Sequence, residues 1–148
     1  VQGHDYSGWR NWTSMVISRE NNIEFTTNKG NYYNVVGGGP RIFQDGNFTD
    51  PCNAIGGTAC HLLRQRTVVG VTDNNKMIAI VTGTLFTNEI DDKLNLYAAR
   101  YGGKIVDGNL FDGGGSPSMV YKGDIKREGN NLLSAALLVF EGDACKHR

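Results

Sequence analysis

Two triple-glycine segments are the places where this sequence could do chemistry. One is Val36-Gly37-Gly38-Gly39-Pro40 and the other is Phe111-Asp112-Gly113-Gly114-Gly115-Ser116. Glycines bring no side chain to a core and lower strand stability by roughly 0.5–1 kcal/mol each relative to alanine. A run of them after a strand suits a bare backbone concavity whose N–H groups point at an anion. A tight loop between strands suits the same residues equally well, and the glycine count does not separate the two. Neither segment is a Walker A loop or a dinucleotide fingerprint, because no GK[ST] and no GxGxxG followed by a helix is present.

Cysteines and histidines offer less. Cys52 and Cys60 flank a short glycine-containing loop that closes into a disulfide if the two backbones come within about 5.5–6 Å. Free thiols are the alternative. A metal is disfavoured, since no CxxC occurs and His61 beside Cys60 has no second ligand pair. Cys145 is left over. His4, His61 and His147 are scattered near ends or loops. Sequons at Asn11-Trp12-Thr13 and Asn47-Phe48-Thr49 mark Asn11 and Asn47 as glycosylation candidates. With the cysteine loop they point to a secreted protein.

The elements that must hold these residues read mainly as strands. Residues 14–18, 23–26, 32–36 and 41–44 carry apolar or alternating patterns bounded by Asn and Gly turns. Asp45-Gly46 supplies the positive φ of a type I′ hairpin turn. Residues 66–71 and 77–81 form a second hairpin around 73–76. One helix is expected over 88–101, with Thr87 as N-cap, acidic Glu89, Asp91 and Asp92 in its first turn, and Ile90, Leu94, Ala98 and Tyr101 on one face. Gly102-Gly103 ends it. Strands at 105–111 and 119–121, a turn at Lys122-Gly123 and a buried strand at 132–140 complete the chain. The helix between two strands predicts an α/β crossover near 77–111. The fold class is therefore α+β, sheet-dominated, mostly antiparallel hairpins, in a single domain over 1–148.

Composition narrows the function. Fifteen basic and fifteen acidic residues give a formal net charge of zero, which argues against binding nucleic acid by bulk electrostatics. No apolar run approaches the roughly 18–20 residues of a membrane-spanning helix. The 20 glycines in 148 residues are about twice the usual share of roughly 7%, with no collagen period. The opening residues have neither the basic nor the apolar region of a signal peptide. A removed signal or a piece of a longer chain is expected.

Asn109-Leu110-Phe111-Asp112-Gly113-Gly114-Gly115-Ser116, followed by Met119-Val120, resembles the DGGGS segment of the phosphodiester glycosidase domain family. Gly37-Gly38-Gly39-Pro40-Arg41-Ile42 with Gln44-Asp45-Gly46 is similar to its GGGP-x-L-x-x-DG segment. Arg66-Thr67-Val68-Val69-Gly70 is similar to its RTxxG strand, and 131–140 to its closing strand. The resemblance runs over about 14–141, with the motifs in the family's order. The family's NGGFF-type segment has no counterpart here, so the chain is expected to be the C-terminal portion of such a domain. Its missing portion would expose sheet edges that invite another protomer or a second chain. The Asn that the family tends to carry two residues before the aspartate is Leu110 here, with Asn109 one step earlier.

The resemblance implies hydrolysis of a sugar-1-phosphodiester, such as one of N-acetylglucosamine, to a free sugar and a phosphomonoester. It casts Asp112 as the carboxylate, as base or electrostatic stabiliser, and Arg66 as the phosphodiester's partner, since its fork matches phosphate oxygens. The amides of Gly113, Gly114, Gly115 and Ser116, with the Ser116 hydroxyl, would cradle phosphate or sugar oxygens. Gly37, Gly38 and Gly39 would form the facing wall, with Asn109 as a polar contact and Asp45 as a weaker second carboxylate. No cofactor is implied, and a divalent metal near Asp112 is left open. Each residue also has a plain structural reading: Asp112 as a turn former, Arg66 in a surface ion pair, Ser116 shaping the loop before Pro117. Trp9 and Trp12 suit packing on a sheet edge better than stacking on sugar. The competing function is an inactive, family-derived module serving as a structural or carbohydrate-binding subunit of an extracellular assembly.

Overall fold

The structure, a computed structural model, describes residues 12–28, 30, 32–52, 62–130, 137 and 139. Its strands are β1 (Ser14–Ile17), β2 (Ile23–Thr26), β3 (Asn34–Gly37), β4 (Arg41–Gln44), β5 (Asn47–Phe48), β6 (Arg66–Thr72), β7 (Met77–Val81), β8 (Ile105–Gly113), β9 (Met119–Tyr121) and β10 (Asp124–Arg127). The helix α1 (Ile90–Arg100) follows a 3-10 turn at Thr87–Glu89. The strands form a five-stranded sheet in the order β5-β4-β8-β6-β7, a three-stranded sheet β2-β1-β3, and the β9-β10 hairpin. Every strand pair is antiparallel.

β6 pairs antiparallel with β7 on one side and β8 on the other. β7 and β8 are therefore parallel to each other across it. Parallel strands need a long crossover connection, and α1 supplies it, as the sequence predicts. The β6–β7 hairpin is also as expected, with its turn at Asn75 (φ 57). Asp45 (φ 52) and Gly46 (φ 78) both take positive φ between β4 and β5, the type I′ signature.

The five-stranded sheet is buried on both faces, which explains the near-continuous Val68-Val69-Gly70-Val71 run of its central strand. Val68, Ile78, Ile105 and Leu110 pack with Ile90, Leu94 and Ala98 of α1. Val69 and Val71 face the other way, against Met15 and Phe25 of the three-stranded sheet. The result is helix, sheet and sheet in three layers.

Some expectations give way. Thr87 is not the N-cap: it lies inside the 3-10 turn, buried, with its hydroxyl 3.3 Å from Cys52 Sγ. Phe86 caps the 3-10 turn, its N–H donating to Glu89 Oε2 at 2.7 Å, and Glu89 is the N-cap of α1. Tyr101 lies past the helix end and is exposed. At that end Gly102 (φ 71) donates to Ala99 O and Gly103 to Ala98 O, a Schellman closure. β3 starts two residues later than expected, at Asn34. The 132–140 run lies largely outside the described residues; of it Leu137 and Val139 are described, and both are exposed. Asn11, Trp9, Cys60, Cys145 and the three histidines lie outside the described residues.

Candidate functional site

β8 carries the site, because the sequence puts Asn109, Asp112 and the second glycine segment on this strand. The strand runs on to Gly113, two residues further than predicted, so the segment begins as strand and turns only at Gly114 (φ 68). Arg66 opens β6 directly opposite Gly113. The strands are in such tight contact there that a Cβ on Gly113 would stand 2.8 Å from Gln65 O and 3.4 Å from Arg66 Nη1. Glycine at 113 thus makes room for the Arg66 side chain and for the β6 backbone.

Arg66 is not a surface cation. It is 6% exposed, and its Nη2 donates to Leu62 O at 3.3 Å. Burial, and secondarily the positive charge of Arg64, pull its pKa below the usual guanidinium value. Asp112 is exposed, and its Oδ1 accepts the Gly113 N–H at 2.8 Å.

The expected amide cradle is largely spent within the protein. Gly113 N–H goes to Asp112 Oδ1, Gly114 N–H to Gln65 O at 3.0 Å, and Ser116 N–H to Gly113 O at 3.4 Å. Gly115 contributes its carbonyl, which accepts from Asn130 N at 2.7 Å. Ser116 is buried beside the buried Pro117. These bonds describe a tight, self-supporting loop more than an open nest.

The first glycine segment has a clear structural cause. Gly39 N–H donates to Leu110 O at 2.8 Å, and Leu110 N–H returns to Pro40 O at 3.0 Å. A Cβ on Gly38 would lie 2.6 Å from Thr13 O, and one on Gly39 would lie 2.6 Å from Leu110 O. Neither position has positive φ. The glycines are needed for close approach, where the three-stranded sheet crosses onto β8. They form a wall fused to β8 and not one facing it across a cleft. Gly37 itself ends β3, exposed, opposite Ser14.

Asn109 seals that crossing. It is 0% exposed; its Oδ1 accepts from Thr13 Oγ1 at 2.5 Å, and its Nδ2 donates to Thr13 O at 2.9 Å and Gly39 O at 3.2 Å. A side chain so engaged holds the wall and does not reach a ligand, which corrects its expected role as a polar contact. Asp45 is also misplaced for a second carboxylate. Its turn bonds to the far end of β8, through Gly46 N–H to Val106 O, six residues and thus roughly 20 Å from Asp112 along the strand.

Three residues at the site were passed over in the sequence: Arg64, Gln65 and Arg127. Arg64 Nη1 lies 3.9 Å from where a Gly114 Cβ would stand. Arg127 Nε donates to Gln65 Oε1 at 3.2 Å. An R-x-R at the start of β6 was a legible signal; nothing local marked Arg127. Among the described residues no group of three or more His, Cys, Asp or Glu is placed to hold a metal. A cavity of about 660 Å³ runs along β7, bounded by Tyr97, Tyr101 and Met119. None of the glycine-segment residues lines it.

The phosphodiester glycosidase family model matches residues 3–140. This chain belongs to that family, and the order of the motifs along β3, β4, β6 and β8 agrees with the assignment. No curated protein and no solved structure gives a significant match.

Proposed function

We propose that the chain hydrolyses a sugar-1-phosphodiester, releasing a free sugar such as N-acetylglucosamine and a phosphomonoester. The observation that carries the reading is the meeting of β6 and β8, where buried Arg66 opposes Gly113 and exposed Asp112 stands next along the strand. Glycosidic cleavage passes through an oxocarbenium-like state. The C1–O bond breaks, the phosphate leaves with the bonding pair, and water attacks the anomeric carbon. A phosphate leaving group needs little acid assistance but does need its charge held. Arg66 suits that task, since a guanidinium bonds phosphate oxygens two at a time. Asp112 would take the proton of the attacking water or stabilise the developing positive charge.

A second reading has its own support. The inward bonding of the Gly113, Gly114 and Ser116 amides and the sealing of Asn109 suit a family-derived module that no longer turns over substrate. It would serve as a structural or carbohydrate-binding subunit. The deciding experiment follows release of N-acetylglucosamine from a GlcNAc-1-phosphodiester, comparing the protein with Asp112→Asn. Asp112 is exposed, so the variant is expected to fold. Turnover that drops by roughly a hundredfold or more supports catalysis at this site. Absence of turnover by the folded protein favours the module.

A secreted location is part of the same proposal. Cys52 is disulfide-bonded, although Cys60 lies outside the described residues, and disulfides persist in oxidising compartments. Asn47 of the second sequon is exposed on β5, where a glycan has room.

A further inference from the structure

Resting on that reading of the site, we propose that the cavity along β7 holds the hydrocarbon of an apolar alcohol esterified to the scissile phosphate, so that the substrate class is a sugar-1-phosphodiester of a long-chain alcohol. The cavity has a volume of about 660 Å³ and is walled by β7 from Met77 to Val81, by Met119, and by Tyr97 and Tyr101 of α1, with Lys76 at one end. Its volume is that of an ordinary small-ligand site. Its near end adjoins the candidate site. Thr82, the residue after Val81, donates its N–H to Arg66 O at 2.9 Å, and its hydroxyl accepts the Arg66 N–H at 2.9 Å. Arg66 lies two residues from Val68 on β6, and Val68 packs with Ile78, Ile80 and α1. Side chains alternate along a strand, so Arg66 projects from the same sheet face as Ile78 and Ile80 of the cavity wall. On the other flank Met119 follows Ser118, whose hydroxyl donates to Ser116 O at 3.2 Å and accepts the Gly129 N–H at 3.1 Å. Met119 therefore leaves the glycine loop at a fixed point.

The lining decides the chemistry of the occupant. From Met77 to Val81, and at Met119, every side chain is aliphatic or a thioether. Polar groups gather at the far end with Lys76, whose Nζ donates to Tyr101 O at 3.1 Å and stands 5.9 Å from the Tyr101 ring centroid. Lys76 is separated from Val81 by roughly 17 Å of strand. A second sugar placed next to the phosphate would bring hydroxyls to side chains that offer no hydrogen bond, at a cost in free energy. A hydrocarbon meets no such cost there and gains by leaving water. Met77 and Met119 suit a chain of variable shape, because a thioether side chain adapts to its neighbour. The C1–O bond is the one that breaks, so the alcohol stays on the phosphate and the second product is its alkyl phosphate.

The test uses that product class as its probes. Ethyl, butyl and hexyl phosphate, each below its micelle-forming concentration, are titrated calorimetrically into the whole chain. Each methylene taken fully from water is worth about fourfold in affinity, so hexyl phosphate should bind at least about tenfold more tightly than ethyl phosphate. Ala79→Asp puts a charge on the cavity wall at an exposed position, where the fold should tolerate it. In that variant the gain with chain length should vanish, while ethyl phosphate affinity changes by less than about twofold. Tyr97→Ser, which removes part of the opposite wall, should reduce the gain as well. Val120→Ser, on the exposed β9–β10 hairpin, should leave it intact. An affinity that does not rise with chain length, as when a segment of the chain itself fills the cavity, overturns the proposal. So does a rise that survives both wall variants, or one that is lost in Val120→Ser. The turnover assay is read separately, through KM for the methyl and hexyl phosphodiesters of N-acetylglucosamine. Turnover with no chain-length preference sinks the alcohol assignment alone, and chain-dependent binding without turnover sinks the hydrolase reading alone.

Discussion

Asn109 carries polar bonds that no neighbour can take over. Truncation to alanine leaves the Thr13 hydroxyl and carbonyl and the Gly39 carbonyl without their partner inside the protein. Each buried polar group so stranded costs roughly 1–3 kcal/mol, a large part of a typical domain's stability. Urea denaturation of Asn109→Ala should show a lower midpoint, corresponding to a loss of unfolding free energy of that order. Gly39→Ala is expected to be at least as harmful, since its Cβ would sit 2.6 Å from a carbonyl in paired backbone, which cannot yield as a flexible side chain can. Gly83→Ala is the control, because its Cβ would meet nothing within 4 Å; its urea midpoint should hardly move. These contrasts show why residue roles were only partly legible. The glycine runs stand out in the sequence. Whether they cradle an anion or admit a neighbouring strand depends on what lies opposite, and Thr13 is 96 positions from Asn109.

At the scale of elements, local rules did well. The Asp45-Gly46 turn, the β6–β7 hairpin and the helix stop at Gly102-Gly103 each follow from a backbone conformation that few residues accept. The N-terminal end of the helix was misread because Thr87 looked like a cap, and the tertiary demand of its contact with Cys52 overrode local preference. Strand pairing beyond hairpins was not legible. Nothing in the local pattern says that β4 lies against β8, yet Arg41 marks it. Its guanidinium grips Asp107 with Nε–Oδ1 at 2.7 Å and Nη2–Oδ2 at 2.5 Å. This fork raises the Arg41 pKa, with the hydrogen bond to Asp107 as the main cause. Arg41 stays protonated throughout the ordinary pH range, so its side of the pair is not lost on alkaline titration. The pair is partly exposed, so its coupling should be about 1 kcal/mol or less. A double-mutant cycle of Arg41→Met and Asp107→Asn, followed by denaturation at low and high salt, measures it; the coupling should shrink as salt rises.

At the scale of the molecule, two cores share one sheet. The α1 side and the three-stranded-sheet side meet through β6, β7 and β8, whose side chains face both ways. The sheet-dominated α+β class and the crossover were readable from period and turn chemistry. The layering was not, because an alternating strand reveals that one face is buried but never what covers it. The closure at Asn109 also has a temporal side. On the ribosome, Thr13 emerges 96 residues ahead of its partner. At roughly 5–20 residues per second, Thr13 waits about 5–20 s for Asn109, and the β1–β3 sheet, complete once Gly37 has emerged, waits about 2–7 s for Val69 and Val71 to cover Met15 and Phe25. For that interval the newborn chain presents an apolar sheet face to the cell, and a holding chaperone has a defined segment to recognise.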